Sequence, residues 1–425
     1  MKPIKIFLVF LSLLALITIL AYVFPEKGIE VTGNIRLNFP SLQEILNQQE
    51  AEYKDITNIV QNNMPVDTIA PQIHKTQKNM LTTGKDKKKK KKKDEISEKI
   101  DSTQQKERRP PRKTVEARDL QYPNGDKTVL YPFFQNLETI SQNKQLIRIL
   151  HYGDSQIEGD RISSYLRNQL QNRFGGAGLG LFPAVLPFNT NIPLKLNLSR
   201  NWERYTLKER SNFDHRKFGV LMSFSRFSPY YSHYQSEVYD AYINLKESPL
   251  AYDLVSEFTH CRIFYGFNDK PFITKIEYQG EIADAEMMPS TTSMKEVVWE
   301  VSPELDEITF SFQGVHSPNI YAIALDASHG VAVDNIPLRG SSGTEFTKTD
   351  MDFYKKMLEK LNVKMIILHF GVNVVPMIRD SYDFYEEQYY KQLSTLKSMD
   401  KDLSIIVMGV SDMSRKSGGT YESYP

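Results

Sequence analysis

The stretch LIRILHYGDSQIEGDRISSYLRNQLQNRF, residues 146–174, decides how the chain is read. Leu146, Ile147, Ile149 and Leu150 are strand formers, and the run stops at Gly153-Asp154-Ser155. Ile162, Leu166, Leu170 and Phe174 then recur every four residues, with Tyr165 beside them, as on one face of an amphipathic helix. Asp154 or Ser155 can cap that helix, and Gly175-Gly176 stop it. The expected geometry is a strand, a sharp turn, and a serine at or beside a helix N-terminus, where N–H groups and the helix dipole favour negative charge. A hydroxyl placed there serves as a nucleophile beside a stabilised oxyanion. Serine in such a position also commonly does no more than cap a helix, and this stretch alone leaves both readings open.

Towards the C-terminus the pattern repeats. VAVDNIPLRGSSGT, residues 331–344, reads as a short strand ending in a turn at Gly340. Residues 350–361 form a helix with Phe353, Met357 and Leu361 on one face. Residues 363–370, VKMIILHF, are nearly continuously apolar, as a strand buried on both faces requires, and end at Gly371-Val372-Asn373. A further helix at 380–399 leads to another buried strand at 403–408. Strands alternating with helices predict a parallel, doubly wound α/β sheet, in which polar residues just beyond the strand C-termini converge on one crevice. Ser155, Gly340 and Asn373 all occupy such positions.

Between these pieces, from about 189 to 326, short alternating strands (AYINL, CRIFYGF, FITKIEY, EVVWEV, ITFSF, IYAIAL and FGVLMSF) predict an inserted β-sandwich or jelly-roll. Trp202, Trp299 and the group Tyr230, Tyr231 and Tyr234 are candidates for a carbohydrate platform, although such aromatics more often fill a core. GGAGLGLFP, residues 175–183, follows a helix instead of opening one, which excludes a phosphate-cradling loop.

Upstream, residues 6–24 are apolar except for Ser12, Thr18 and Tyr22, with Lys2 and Lys5 before them. That length spans a bilayer with the basic end in the cytoplasm, so a transmembrane signal-anchor is expected over 1–27, the remainder lying on the periplasmic or extracytoplasmic side. A signal peptide cut at an atypical site is the alternative. Residues 28–116 lack sustained periodicity apart from a short amphipathic helix within 39–60, and read as a Lys-rich, largely disordered linker. Its seven consecutive lysines, Lys87 to Lys93, either form a solvated tether or contact anionic envelope polymer or lipid headgroups.

The resulting division is 117–188 and 330–425 for the α/β domain and 189–329 for the insert. Of 425 residues, 25% are charged with a net charge of +1, so no global field argues for nucleic acid. The single cysteine, Cys261, sits in a strand-like run as a small core residue. No clustered ligands point to a metal and no loop points to a nucleotide, so no cofactor is expected.

Gly153-Asp154-Ser155 after one buried strand, a lone Gly340 in the next block, and Gly371-Val372-Asn373 after another together resemble blocks I, II and III of the SGNH (GDSL-type) hydrolases. The resemblance covers about 117–188 and 330–425 and implies a flavodoxin-like, three-layer fold. It implies Ser155 as nucleophile, the N–H groups of Ser155 and Gly340 and the Asn373 amide as oxyanion donors, and Asp154 as organiser of the turn, with Gly153 and Gly371 in support. Gln156, in place of the usual Leu, and the β insert make it most similar to envelope members acting on acetylated polysaccharide or peptidoglycan.

The family's closing D-x-x-H block does not occur after Asn373; the last histidine is His369, inside a strand. His151 and His369 precede site residues by four positions on their strands and read as core or supporting residues. The expectation is therefore a C-terminally incomplete enzyme, nearly inactive as this chain stands. Three functions are weighed: a membrane-anchored esterase removing O-acyl, foremost O-acetyl, groups; a polysaccharide O-acyltransferase using the same acyl-Ser155; and a non-catalytic carbohydrate-binding protein.

Overall fold

Eight residues of mostly apolar sequence, Leu146–Gly153, form the strand around which the α/β part is laid. The computed structural model describes residues 29–32, 35–37, 120–187, 193–230, 237–302, 307–411, 413–417 and 420–424. It divides into two units, Met1–Pro110 and Pro111–Pro425. In the first, β1 (Ile29–Thr32) and β2 (Ile35–Leu37) pair as an antiparallel hairpin within the stretch read as linker. Residues 6–24, the helix expected within 39–60 and Lys87 to Lys93 lie outside the described residues. No helix among the described residues is long and apolar enough to cross a membrane.

The second unit opens with α1 (Tyr131–Asn143), β3 (Leu146–Gly153), α2 (Arg161–Phe174) and β4 (Gly180–Phe182). The insert follows: β5 (Leu194–Leu198), β6 (Glu203–Thr206), β7 (Ser223–Arg226), β8 (Tyr239–Glu247) and β9 (His260–Asn268). It continues through β10 (Phe272–Tyr278), β11 (Glu281–Met288), β12 (Thr291–Glu300), β13 (Glu307–Gly314) and β14 (Asn319–Asp326). The α/β pattern resumes with β15 (Gly330–Pro337), α3 (Met351–Lys360), β16 (Val363–His369), α4 (Asp383–Met399) and β17 (Ser404–Met408). A last hairpin joins Ser414–Ser417 to Thr420–Ser423.

β15, β3, β16 and β17 pair in that order, all parallel. Numbered along the chain the row reads 2-1-3-4, the flavodoxin-like order, with the insert threaded between its first two strands. Leu130, Phe133, Leu137 and Ile140, with Leu166, Leu170 and Phe174, cover one face of the sheet over Ile147, Ile149, Val331, Val333, Met365 and Ile367. Phe353, Tyr354, Met357 and Leu358 from α3, with Leu396 from α4, cover the other over Leu150, Tyr152, Ile336, Ile366 and Leu368. The three-layer α/β expectation holds. β17, expected to be buried, is an edge strand among the described residues, and Val407 near its end is half-exposed.

The insert is a two-sheet sandwich, β11-β10-β13-β8-β5 facing β12-β9-β14-β7-β6, with β4 paired to β14. All eight residues of β14 are buried. One side faces the sandwich core and the other contributes Tyr321, Ala322 and Ala324 to the core shared with α3. Trp202 and Trp299 lie inside the sandwich, 8% and 4% exposed, as the core reading expected and against the sugar-platform alternative: Trp202 packs edge-on to Phe227 and Phe312, and Trp299 stacks on Phe310. Tyr230 packs against Phe213 and Tyr205, whereas Tyr231 and Tyr234 lie outside the described residues. FGVLMSF is strand only from Ser223 onward, because Gly219 and Met222 turn with positive φ.

A buried ion cluster ties insert to sheet. Arg148 on β3 bonds Asp334 on β15 and Asp326 at the end of β14, each at 2.6 Å, all three fully buried. Asp334 also accepts the Leu181 N–H at 2.8 Å, and Gly180 leaves room for it, since a Cβ there would lie 2.2 Å from the carboxylate. Gly176, Gly178 and Gly180 therefore serve close packing, the first two against the Val331 and Leu325 backbone.

Candidate active site

Parallel register brings the strand ends into one row. Gly153 is opposite Pro337 on one side and His369 on the other, and His369 is opposite Met408. The segments that follow, Asp154-Ser155, 338–343, 370–373 and 409–411, accordingly leave the sheet at the same edge.

Asp154 is fully buried at the head of the first segment. Its N–H donates to the His369 carbonyl at 3.4 Å, and its Oδ1 accepts the Gln156 N–H at 2.9 Å, capping the 3-10 turn Ser155–Ile157. Burial raises the Asp154 pKa, opposed by the Gln156 N–H and by the nearby His369. Ser155 opens that turn exposed, with its hydroxyl free of any hydrogen bond among the described residues. The long helix begins only at Arg161, because Gly159 and Asp160 break the chain with φ of +78° and +60°. Ser155 therefore does not sit at the N-terminus of α2, which removes the helix dipole from its expected environment. Gln156 instead pins the turn across the row, donating to Ser411 Oγ at 2.6 Å.

Gly340 occupies the third position of a β-turn closed by Ser341 N–H to Leu338 O at 2.9 Å, and its φ of +72° is one that glycine supplies without strain. The Leu338 N–H donates to Gly153 O at 2.7 Å, so this turn hangs directly beside the Ser155 segment. The Gly340 N–H has no hydrogen-bond partner among the described residues. Arg339 pairs through Nε and Nη2 with the Glu158 carboxylate, with Nε at 2.7 Å, adding a second clasp between the two segments.

Gly371 has φ +121°, and a Cβ there would lie 2.5 Å from Val410 Cγ1. Asn373 is half-buried, and its Nδ2 donates to Ser341 O at 2.9 Å, leaving the second Nδ2 hydrogen unassigned. Gly153 is crowded as well, its missing Cβ 3.0 Å from His369 O and the Ile157 side chain. Ser155, Gly340 and Asn373 thus sit on three interlocked loops at one sheet edge.

A buried polar chain that periodicity missed lies beneath them. The Ser163 hydroxyl donates to Asn335 Oδ1 at 3.0 Å, which leaves it to accept from His151 Nδ1 at 2.8 Å; Asn335 Nδ2 in turn donates to Ile157 O at 3.0 Å. The ring of His151 stacks on His369 at 5.8 Å, and burial lowers its pKa to about 4. His369 is also lowered by burial, with Asp154 opposing. Of the other described histidines, His215, His260, His316 and His329 bond to Lys217, Thr259, Asp269 and Ser328. No described histidine hydrogen-bonds Ser155. No group of metal ligands occurs among the described residues.

No family model matches the sequence, and no curated protein matches it. Among solved structures the chain is similar to a peptidoglycan O-acetylesterase, at 16% identity and a TM-score of 0.49 over 67% of this chain and 73% of that one. It is also similar to family two carbohydrate esterases from Clostridium thermocellum, in complex with cellohexaose, and from Cellvibrio japonicus. Both stand at 8% identity and a TM-score of 0.17; the first covers 43% of this chain and 73% of that one, the second 50% and 78%. The 2-1-3-4 parallel row, with the three motif loops at its edge, has the flavodoxin-like, three-layer order that the motif resemblance implied.

Proposed function

We propose that the chain carries a serine esterase site that removes O-acyl, foremost O-acetyl, groups from polysaccharide or peptidoglycan. Ser155 Oγ attacks the ester carbonyl and forms an acyl-Ser155 intermediate. Its proton passes to the sugar oxygen, which leaves as the alcohol, by way of a base that is none of the described histidines. The N–H groups of Ser155 and Gly340, with the second Nδ2 hydrogen of Asn373, receive the oxyanion. The observation that carries this reading is the in-register row of strand ends, which delivers an exposed, unbonded serine hydroxyl beside a turn whose glycine N–H points to no protein acceptor. Asp154 acts through the turn it caps, not as the acid of a triad, since its Oδ1 is engaged by Gln156. Water accepts the acyl group in the esterase, and a sugar hydroxyl accepts it in an acyltransferase using the same intermediate.

Membrane anchoring through residues 6–24, on the extracytoplasmic side, belongs to the same proposal and rests on the sequence alone. The test is acetate release from an O-acetylated polysaccharide by the full-length protein and its Ser155→Ala variant. A rate lower by about 10³-fold or more in the variant supports the nucleophile. Equal rates overturn it in favour of a non-catalytic carbohydrate-binding protein. Appearance of the acetyl group on added oligosaccharide, rather than as free acetate, selects the transferase.

A further inference from the structure

A cavity of about 460 Å³ opens beside the Gly340 turn, between that turn and the 3-10 segment Leu207–Asn212 of the insert. Its floor is apolar, formed by Leu207, Met222 and Phe346, and its walls carry Arg204, Lys208, Arg210, Arg339 and Lys348 against one carboxylate, Glu345. Glu345 is already engaged, accepting from Ser341 Oγ at 2.6 Å and from the Thr344 N–H at 2.9 Å. Arg339 is paired with Glu158. Arg204, Lys208, Arg210 and Lys348 form no salt bridge among the described residues, and the Arg204 Nε is buried without an acceptor. Lys208 Nζ donates to Arg339 O at 3.1 Å and lies 3.7 Å from where a Cβ on Gly340 would be.

Cations gathered around a cavity whose one carboxylate is already engaged repel one another, and an incoming anion relieves that repulsion. Arg204, Lys208 and Arg210 come from the insert strand and turn, and Arg339 and Lys348 come from the segments after β15, so neither part alone builds the cluster. We propose that this cavity is a subsite for an anionic group, a carboxylate or a phosphate, carried by the substrate next to the ester-bearing sugar. The inference takes its place beside the ester from the Ser155 reading, and its chemistry from the cavity alone. The substrate is then an acidic acylated polymer, held by its charge while its ester lies over Ser155.

Calorimetric titration of the full-length protein tests this with three probes of equal length: an oligogalacturonate, the same oligomer with its carboxyls reduced to neutral galactose, and a glycerol-phosphate oligomer. The expected result is binding of at least one charged probe about tenfold or more tighter than the neutral one at low salt, weakening as salt rises. Whichever charged probe binds tighter identifies carboxylate or phosphate. The Arg210→Gln/Lys348→Gln double variant, which leaves the buried Arg204 in place, should lose about tenfold in charged-probe affinity and nothing for the neutral probe. Equal binding of charged and neutral probes, or an unchanged double variant, overturns the subsite. Ser155→Ala keeps the two readings apart: it should bind the charged probe as wild type does. If it still releases acetate while the double variant loses binding, the nucleophile assignment fails and the subsite stands.

Discussion

His151 lies wholly buried on β3, and its low pKa of about 4 has a cost that pH reveals. Unfolded, the ring takes a proton below its ordinary value of 6.5, whereas the native ring, desolvated and close to His369 and Arg167, stays neutral until about pH 4. The unfolded state binds more protons in that window, so stability is lost as pH falls from about 6.5 to about 4, by about 3 kcal/mol from this group. The lowered His369 pulls in the same direction. Urea midpoints at pH 7.5 and 4.5 should therefore differ more in wild type than in His151→Gln; equal differences would refute the assignment. Gly371 is the second sensitive residue. Gly371→Ala meets both a φ of +121° and the Val410 side chain, and should lower stability by about 1–3 kcal/mol while displacing Asn373. Thermal melting reads the first effect, and acetate release reads the second.

Among elements, α2 shows where sequence reading reaches its limit. Leu166, Leu170 and Phe174 do pack on the sheet, but only as its half-buried flank, and Tyr165 is exposed. The stripe turned fully inward is polar: Ser163, Arg167 and Gln171, also at four-residue spacing. Arg167 bonds Asp160 at 2.7 Å and Val333 O at 2.7 Å, and Gln171 bonds Gly178 O at 3.1 Å. Periodicity reads polar stripes as solvent-facing, and only the partners, distant in sequence, reverse that reading. A local signal was present in Asp160 and Arg167, which stand seven residues apart on the same side of the helix. Asp160→Ala, which leaves Arg167 buried and unpaired, should cost about 3–5 kcal/mol in denaturant titrations. The strand ends and their glycines were legible because each is set by a short run of residues. The helix start at Arg161 and the cationic cavity were not, because each depends on how the chain turns and on partners beyond the local run.

At the scale of the molecule, Arg148, Asp326 and Asp334 decide how firmly sandwich and sheet act together. Asp326→Asn removes one charge from the cluster and leaves Arg148 with less compensation in a site without water access. The expected outcome is a loss of about 3–5 kcal/mol, with α/β and sandwich signals melting together, since both share the core around Tyr152, Tyr354 and Tyr321. Separate melting in the wild type would refute the shared core.

The threading of the insert also sets a clock on synthesis. β3 sits in the middle of the sheet, yet its neighbour β15 lies about 180 residues further along the chain. At translation rates of about 5–20 residues per second, the strand carrying Ser155 waits on the order of 10–35 s before either flank can be covered by its native neighbours. Throughout that interval Ile147, Ile149, Leu150 and Tyr152 remain an open apolar edge. Ribosome-bound chains halted before Gly330 should then be cut by protease near β3, and chains halted beyond Met408 should not.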